Sequence, residues 1–385
     1  MNPLSHLGAY AHLLRSRIPG ARGPAGAASI RLPFNGSPTV ATFLHTGFFL
    51  GILTADGPCD GLLNIYLQLS APRRRTDFVN VLPLRFLPTI PPDLLGLTES
   101  RDWSAAEIAR IGKGGLAGEV IGAMRGGEFL YANIDYFYLP GSAFYARRHF
   151  RQSALVVGFD AGAGEFTIAC YLKSGLFGLA RMPWRLLGEA FHSPLGRARC
   201  SEASKADRLN GIRRPAVAGP HAVLDLDAIR WQLADYLNAT NEAPRRMANG
   251  AIREWCARHD TSTAADTYYG SGIHEGLIAT LNATDPAAPG TFDFRITRLV
   301  WEHKKMMTLR LRRLSETGAI AIPGLDARWA EVEQAAWSLH FTLVRSASKR
   351  ERIDRESVVR SVNDMAALER TILGEVLESL QKPET

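Results

Sequence analysis

Cysteine is scarce in this chain: Cys59, Cys170, Cys200 and Cys256 are the only four in 385 residues. They are widely spaced and form no CxxC pair, which argues against a disulfide framework or a thiolate zinc site and suits a reducing compartment. No HExxH arrangement occurs, so no metal site is expected. Long apolar runs are missing as well; none approaches the roughly 20 residues that a membrane-spanning helix requires. Arg15, Arg17 and Arg22 are not followed by a continuous apolar segment and a small-residue cleavage site. A secretory signal is therefore not expected, and the expected location is cytoplasmic, with no membrane partner. An excess of one charge is present but modest: 45 basic against 38 acidic residues, a formal net charge of +7. No zinc finger, RNP-type aromatic sequence or helix-turn-helix accompanies it, so nucleic acid ranks behind an acidic protein or small-molecule partner.

What is present reads as two regions behind an irregular arm. Residues 1–30 are rich in Gly, Ala, Arg and Pro and predict that arm. Residues 31–200 predict an α+β domain, and 221–385 a helical one, with "SEASKADRLNGIRRPAVAGP" as the linker. The apolar stretch "VATFLHTGFFLGIL" predicts a buried strand or two, and "GLLNIYLQL" a short helix. Asp102 or Ser104 caps a helix with Glu107 in its first turn, which ends in a glycine C-cap. "EFLYANIDYFYL" reads as a strand. "ALVVGF" and "FTIACYL", joined by Asp160-Ala161-Gly162-Ala163-Gly164, read as a β-hairpin. "SGLFGLARMPWRLLGEAF" reads as a loop leading to an amphipathic helix. Beyond Val223 helical periodicity dominates: Val358, Val362, Met365, Ile372, Val376 and Leu380 recur at spacings of three, four or seven.

Two stretches together carry a family resemblance. "NIDYFYLPGSAFYARRHFRQSALVVGFD" gives an Asp-x-x-Tyr-Leu-Pro segment, a basic-His segment and a strand ending in Gly-aromatic-Asp. "DTYYGSGIHEGLIATL" followed by "RLVWEHKKMMTLRLRRL" lies far downstream. In this order they resemble the butirosin biosynthesis protein H-like family of natural-product pathways, over roughly residues 55–380. The resemblance implies a papain-like (C39-peptidase-like) antiparallel sheet with helices, plus a C-terminal helical bundle. It also implies an acyltransferase whose cysteine takes an acyl or peptidyl group from a carrier-protein thioester and passes it to an amine. No resident cofactor is implied; the phosphopantetheine arm of the carrier protein is part of the substrate.

Cys59 is the candidate nucleophile, because it follows Gly57-Pro58 and directly precedes a predicted helix whose dipole would favour its thiolate. The alternative is a loop cysteine without chemistry. Cys170 lies in a strand and reads as a small core hydrophobe, and Cys200 and Cys256 default to structure. In the family pattern the base stands where this chain has Gln152, a side chain that can hold an oxyanion but cannot act as a base. His149, three residues earlier, is the candidate base, against the alternative of a solvated histidine beside Arg147 and Arg148. An odd offset in an extended strand would point it to the opposite face, unless a bulge or a strand that begins only near Gln152 changes its entry angle. Asp135 and Tyr138 are candidate substrate-binding residues, although period two separates their faces. Asp160 reads as a turn-former. Glu302 and His303, beside Lys304 on a helix, are candidate substrate-binding residues in a cleft or at a carrier-protein contact, against the alternative of a solvated charge cluster. Arg310, Arg312 and Arg313 extend a basic rim suited to an acidic carrier. The expected function is acyl transfer, condensation or cyclisation on a carrier-bound thioester with a small-molecule acceptor. The alternative is a non-catalytic papain-like pseudoenzyme that binds a carrier protein or pathway intermediate.

Overall fold

The computed structural model describes residues 28–73, 84–87, 93–193, 209–215, 223–246, 250–259, 263, 265–285, 287 and 292–381. In chain order its first elements are β1 (Ser29–Arg31), α1 (Leu44–Leu53), α2 (Asp60–Leu63), β2 (Gln68–Pro72), β3 (Arg85–Leu87), β4 (Glu99–Asp102) and α3 (Ala105–Arg125). Next come β5 (Phe129–Asp135), a 3-10 turn (Tyr136–Tyr138), β6 (Arg151–Asp160), β7 (Glu165–Tyr171), β8 (Phe177–Pro183), α4 (Trp184–Phe191) and β9 (Leu209–Arg213). The remainder is α5 (Leu226–Asn238), α6 (Ala243–Arg246), α7 (Gly250–His259), β10 (Thr267–Tyr269), α8 (Ile273–Ala283), α9 (Phe294–Glu316), α10 (Leu325–Lys349) and α11 (Arg355–Gln381). Among the described residues, no helix is long and apolar enough to cross a membrane.

The chain forms two compact units: residues 1–58 with 91–220, and residues 59–90 with 221–385. The boundaries differ from the sequence expectation in one consequential way. The segment after Pro58, which includes Cys59, belongs with the C-terminal helices, because its buried carbonyls are satisfied from them. Residues 1–27 of the expected arm and residues 201–208 and 216–220 of the expected linker lie outside the described residues. The described part of that linker contains a strand, β9.

The first unit is built on an antiparallel sheet in the order β4-β9-β5-β6-β7-β8, with β1 added beside β6. Phe129 and Tyr131 of β5, Leu155 and Val157 of β6 and Ala169 of β7 face α1 and pack against Leu44, Phe48, Phe49 and Ile52. The alternate residues Leu130, Ala132, Ile134, Ala154, Val156 and Ile168 face α3 and α4. The apolar run expected as strand is therefore the helix α1, buried on nearly every side, and a helix apolar all round carries no 3.6-residue signature. The segment expected as a loop before α4 is β8, which completes the sheet beside β7. α3 begins as expected: Ser104 accepts from Glu107 N, and the Glu107 carboxylate accepts from Ser104 N at 2.7 Å. The hairpin also forms as expected, with Asp160 Oδ1 accepting from Ala163 N at 3.1 Å in the turn. A bulge between Val156 and Gly158 lets β1 approach, and a Cβ at Gly158 would lie 2.9 Å from the Ile30 carbonyl.

The second unit packs α9, α10 and α11 together, with α5 and α8 against α11. Arg328 of α10 pairs bidentately with Glu375 of α11 at 2.6 Å. A small antiparallel sheet, β10-β2-β3, completes it, a strand element that periodicity did not predict beyond residue 223. Of the expected helical series, Val358, Val362, Met365, Ile372 and Val376 are buried and Leu380 is half-buried.

Candidate functional site

The strongest chemical arrangement in the first unit is centred on Asp135, the last residue of β5. Its register partner is Arg151, so the chain between them must turn back over the strand end. The 3-10 turn begins that reversal, with Asp135 Oδ1 capping Phe137 N at 3.0 Å and also accepting from Phe150 N at 3.0 Å. Oδ2 accepts from His149 Nδ1 at 2.6 Å and from Ser193 Oγ at 2.7 Å. Asp135 is fully buried. Burial disfavours its charge, but the bonds from His149, Ser193 and the two amides outweigh that and hold the carboxyl below its usual range.

This arrangement fixes the histidine. Donation from Nδ1 to the carboxylate leaves Nε2 as the basic nitrogen. The imidazole stacks on Phe137 (4.3 Å between centroids, 17° between planes) and meets Tyr138 edge-on at 6.1 Å. The side chain is one-third exposed, and no described residue hydrogen-bonds Nε2. A basic nitrogen that is oriented by a buried carboxylate and open to solvent is the minimum equipment of a general base.

The expected opposition of Asp135 and Tyr138 is corrected, because the 3-10 turn breaks the period-two alternation and both meet His149. The strand-offset argument against His149 fails for a similar reason: β6 starts at Arg151, so His149 lies in the preceding loop and is not bound by strand alternation. Gln152 pairs in register with Ile134 and shares the sheet face of α3 and α4. It makes no hydrogen bond with its side chain among the described residues. Cys59 is half-buried at the N-cap of α2, a single four-residue turn, and belongs to the second unit, whereas His149 and Gln152 belong to the first. A one-turn helix has too few aligned peptides for the dipole argument made for this cysteine. The only described cysteine of the first unit is Cys170, which is in the core with its thiol pushed up to about 12 by burial. The helix packed on the hairpin, α1, starts after Phe43 and has no cysteine at its N-terminus.

A cleft on the α1 side is lined by His45, Phe48, Phe49, Ser100, Tyr131, Asn210 and Ile212. Burial pushes His45 down to about 4, so it is neutral at pH 7.

Glu302, His303 and Lys304 are all buried in the second unit, which overturns their expected place on a cleft or docking surface. Glu302 accepts from Arg298 Nε at 3.1 Å. His303 Nε2 donates to the Leu67 carbonyl at 2.7 Å, and its ring stacks on Tyr236. The Lys304 ammonium donates to Glu369 Oε1, to Tyr236 Oη at 3.1 Å and to His303 Nδ1 at 3.4 Å. Glu369 Oε1 also accepts from Tyr236 Oη at 3.0 Å, and Oε2 lies 3.3 Å from His274 Nε2. Burial lowers the pKa of Lys304 against the pull of Glu369; it also lowers His303, helped by the Lys304 charge.

The basic rim is corrected too. Arg310 is fully buried and donates from Nε to the Leu63 carbonyl and from Nη2 to the Ile65 carbonyl, both at 2.7 Å. Burial pushes it down to about 9. Arg313 makes a fork to Asp60 at 2.9 Å for each bond, and Arg312 alone of the three is exposed. Gln232 Nε2 donates to the Asn64 carbonyl at 2.6 Å. Side chains thus satisfy the last carbonyl of α2, at Leu63, and those of residues 64, 65 and 67 in the irregular buried link from α2 to β2. His303, Arg310 and Arg313 of α9, with Gln232 of α5, are a clamp on the chain that follows Cys59. Gly270 (φ +49°) permits the close packing at this clamp, since a Cβ there would lie 2.3 Å from the Tyr236 carbonyl.

No protein-family model matches this sequence, and no curated protein sequence matches it.

Proposed function

We propose that the protein transfers an acyl or peptidyl group from a carrier-protein thioester to a small-molecule amine, on a papain-like sheet domain, with His149 as general base. The Asp135–His149 pair carries this reading. His149 Nε2 takes a proton from the acceptor amine as its nitrogen attacks the thioester carbonyl; the C–N bond forms, the C–S bond breaks, and the proton passes to the leaving thiolate. Asp135 stabilises the imidazolium formed on the way, and Gln152 is the candidate oxyanion donor. Cys59 has no role in this reading. A thioester is activated enough for direct attack, so positioning and a base supply the acceleration without a covalent enzyme intermediate. The phosphopantetheine arm enters as part of the substrate, and the reaction is assigned to a cytoplasmic natural-product pathway.

The test supplies an acylated carrier protein or acyl-pantetheine with an amine acceptor, and compares wild type with His149→Asn and Cys59→Ser. Loss of turnover in the first variant alone supports the reading. The absence of any thiol or hydroxyl bonded to His149 Nε2 among the described residues also favours a pseudoenzyme that binds the carrier-bound intermediate. That reading predicts retained binding and no turnover by wild type.

A further inference from the structure

The second unit has an exposed aromatic stripe that neither the His149 chemistry nor the clamp uses. Trp301 of α9 meets Trp337 of α10 at 4.6 Å between ring centroids, and Trp337 meets Phe341, one turn on, at 6.2 Å. Trp337 is 39% exposed and Phe341 53%. Two large rings side by side at this exposure, beside a third, form a contiguous apolar patch rather than scattered surface residues.

Charge defines the edge of the patch. Lys305 is on the same face of α9 as Trp301 and places its ammonium 4.8 Å from that ring. Arg312 continues the α9 stripe two turns on, and Arg345 follows Phe341 by one turn on α10; neither forms an ion pair with a described residue. Arg298 is engaged by Glu302, and the acid on this face, Glu333, accepts from Thr308 Oγ1 at 2.6 Å. A tilted stack of aromatic rings with a cationic edge has the composition of a protein-interface hot spot, where Trp and Arg are enriched.

We infer that the α9–α10 face bearing Trp301, Trp337 and Phe341 docks an acidic amphipathic helical segment of another protein. A second copy of this chain would bring Lys305, Arg312 and Arg345 against their own kind, which opposes self-association.

The probe is a labelled helical peptide with Leu at every third or fourth position and Glu between, read by fluorescence anisotropy on the full chain. The matching peptide has Lys in place of Glu. Wild type is expected to bind the Glu peptide and not the Lys peptide. Phe341→Ser and Trp337→Ala, both at exposed positions and checked for unchanged melting, are expected to weaken binding at least about tenfold. Lys305→Glu with Arg345→Glu is expected to reverse the preference, and His149→Asn to leave it intact. Failure of wild type to bind the Glu peptide, equal binding of both peptides, or unchanged binding by folded Phe341→Ser overturns the proposal. So does binding of vesicles containing phosphatidylserine without binding of the peptide, or a Phe341-dependent dimer in sedimentation.

Discussion

Asp135 is a carboxylate with four donors and no contact with water, so its contribution to stability depends on charge. Replacement by Asn keeps the shape but turns an NH2 toward groups that donate, leaving buried donors unpaired. Asp135→Asn should cost about 3 kcal/mol, measured by urea unfolding at pH 7. The folded carboxyl titrates below its ordinary value, so its stabilisation is complete above the unfolded pKa of about 3.9 and is lost as pH falls toward the folded one. Thermal melts from pH 6 to pH 3 should therefore show a smaller acid-induced drop in Asp135→Asn than in wild type. His149 stands out in the sequence as a candidate base, and Asp135 only as a candidate substrate-binding residue. Its role as the partner of His149 is not legible there, because strand alternation does not hold across a 3-10 turn and a loop that obey other geometry.

The buried ion network joins α5, α8, α9 and α11 in the second unit. Glu369→Gln leaves the Lys304 ammonium buried without a counter-charge and should destabilise the fold by about 3–5 kcal/mol. Adding Lys304→Met removes that charge, while the amide introduced at position 369 still accepts from Tyr236 Oη and donates to His274. The double variant should recover more than half of the loss in the same urea titration. Its failure to recover would show that the charges themselves are required. A trace of this network is visible in the sequence once the register is known: Glu369 falls between Met365 and Ile372 in the apolar series of α11, and His303 and Arg310 fall in the buried stripe of α9. A charged residue in an apolar slot is a buried network or a kink in the pattern, and composition alone cannot choose. The α1 error has the opposite origin: its residues are so uniformly apolar that no period distinguishes helix from strand.

For the whole molecule, acid sensitivity should begin well above the carboxylate range. His274 is buried and pushed down to about 4, mainly by burial and against the pull of Glu369, and His45 in the other unit is pushed to a similar value. Below about pH 6.5 the unfolded chain binds protons that these native imidazoles refuse until about pH 4, so their contribution lowers stability across that window and is constant below it, where the loss from Asp135 takes over. His274 alone can account for up to about 3 kcal/mol of that loss. His274→Gln should melt with a visibly shallower dependence on pH between 6.5 and 4.5 than wild type; an equal slope would place the titration elsewhere. The division into two units was half legible. The change of composition near residue 200 marked the helical region, but nothing in the sequence announced that residues 59–90 join it, because that assignment rests on side chains of α5 and α9 reaching isolated carbonyls.

The functional proposal turns on which residue carries the chemistry, and single-turnover transfer from an acyl-pantetheine thioester to an amine, followed by intact mass, measures this directly. Cys59→Ser is expected to turn over at the wild-type rate with no acyl adduct on either protein. His149→Asn is expected to fall by about 10²-fold or more. An acyl group found on wild type and absent from Cys59→Ser, with turnover lost in that variant, would contradict the proposal.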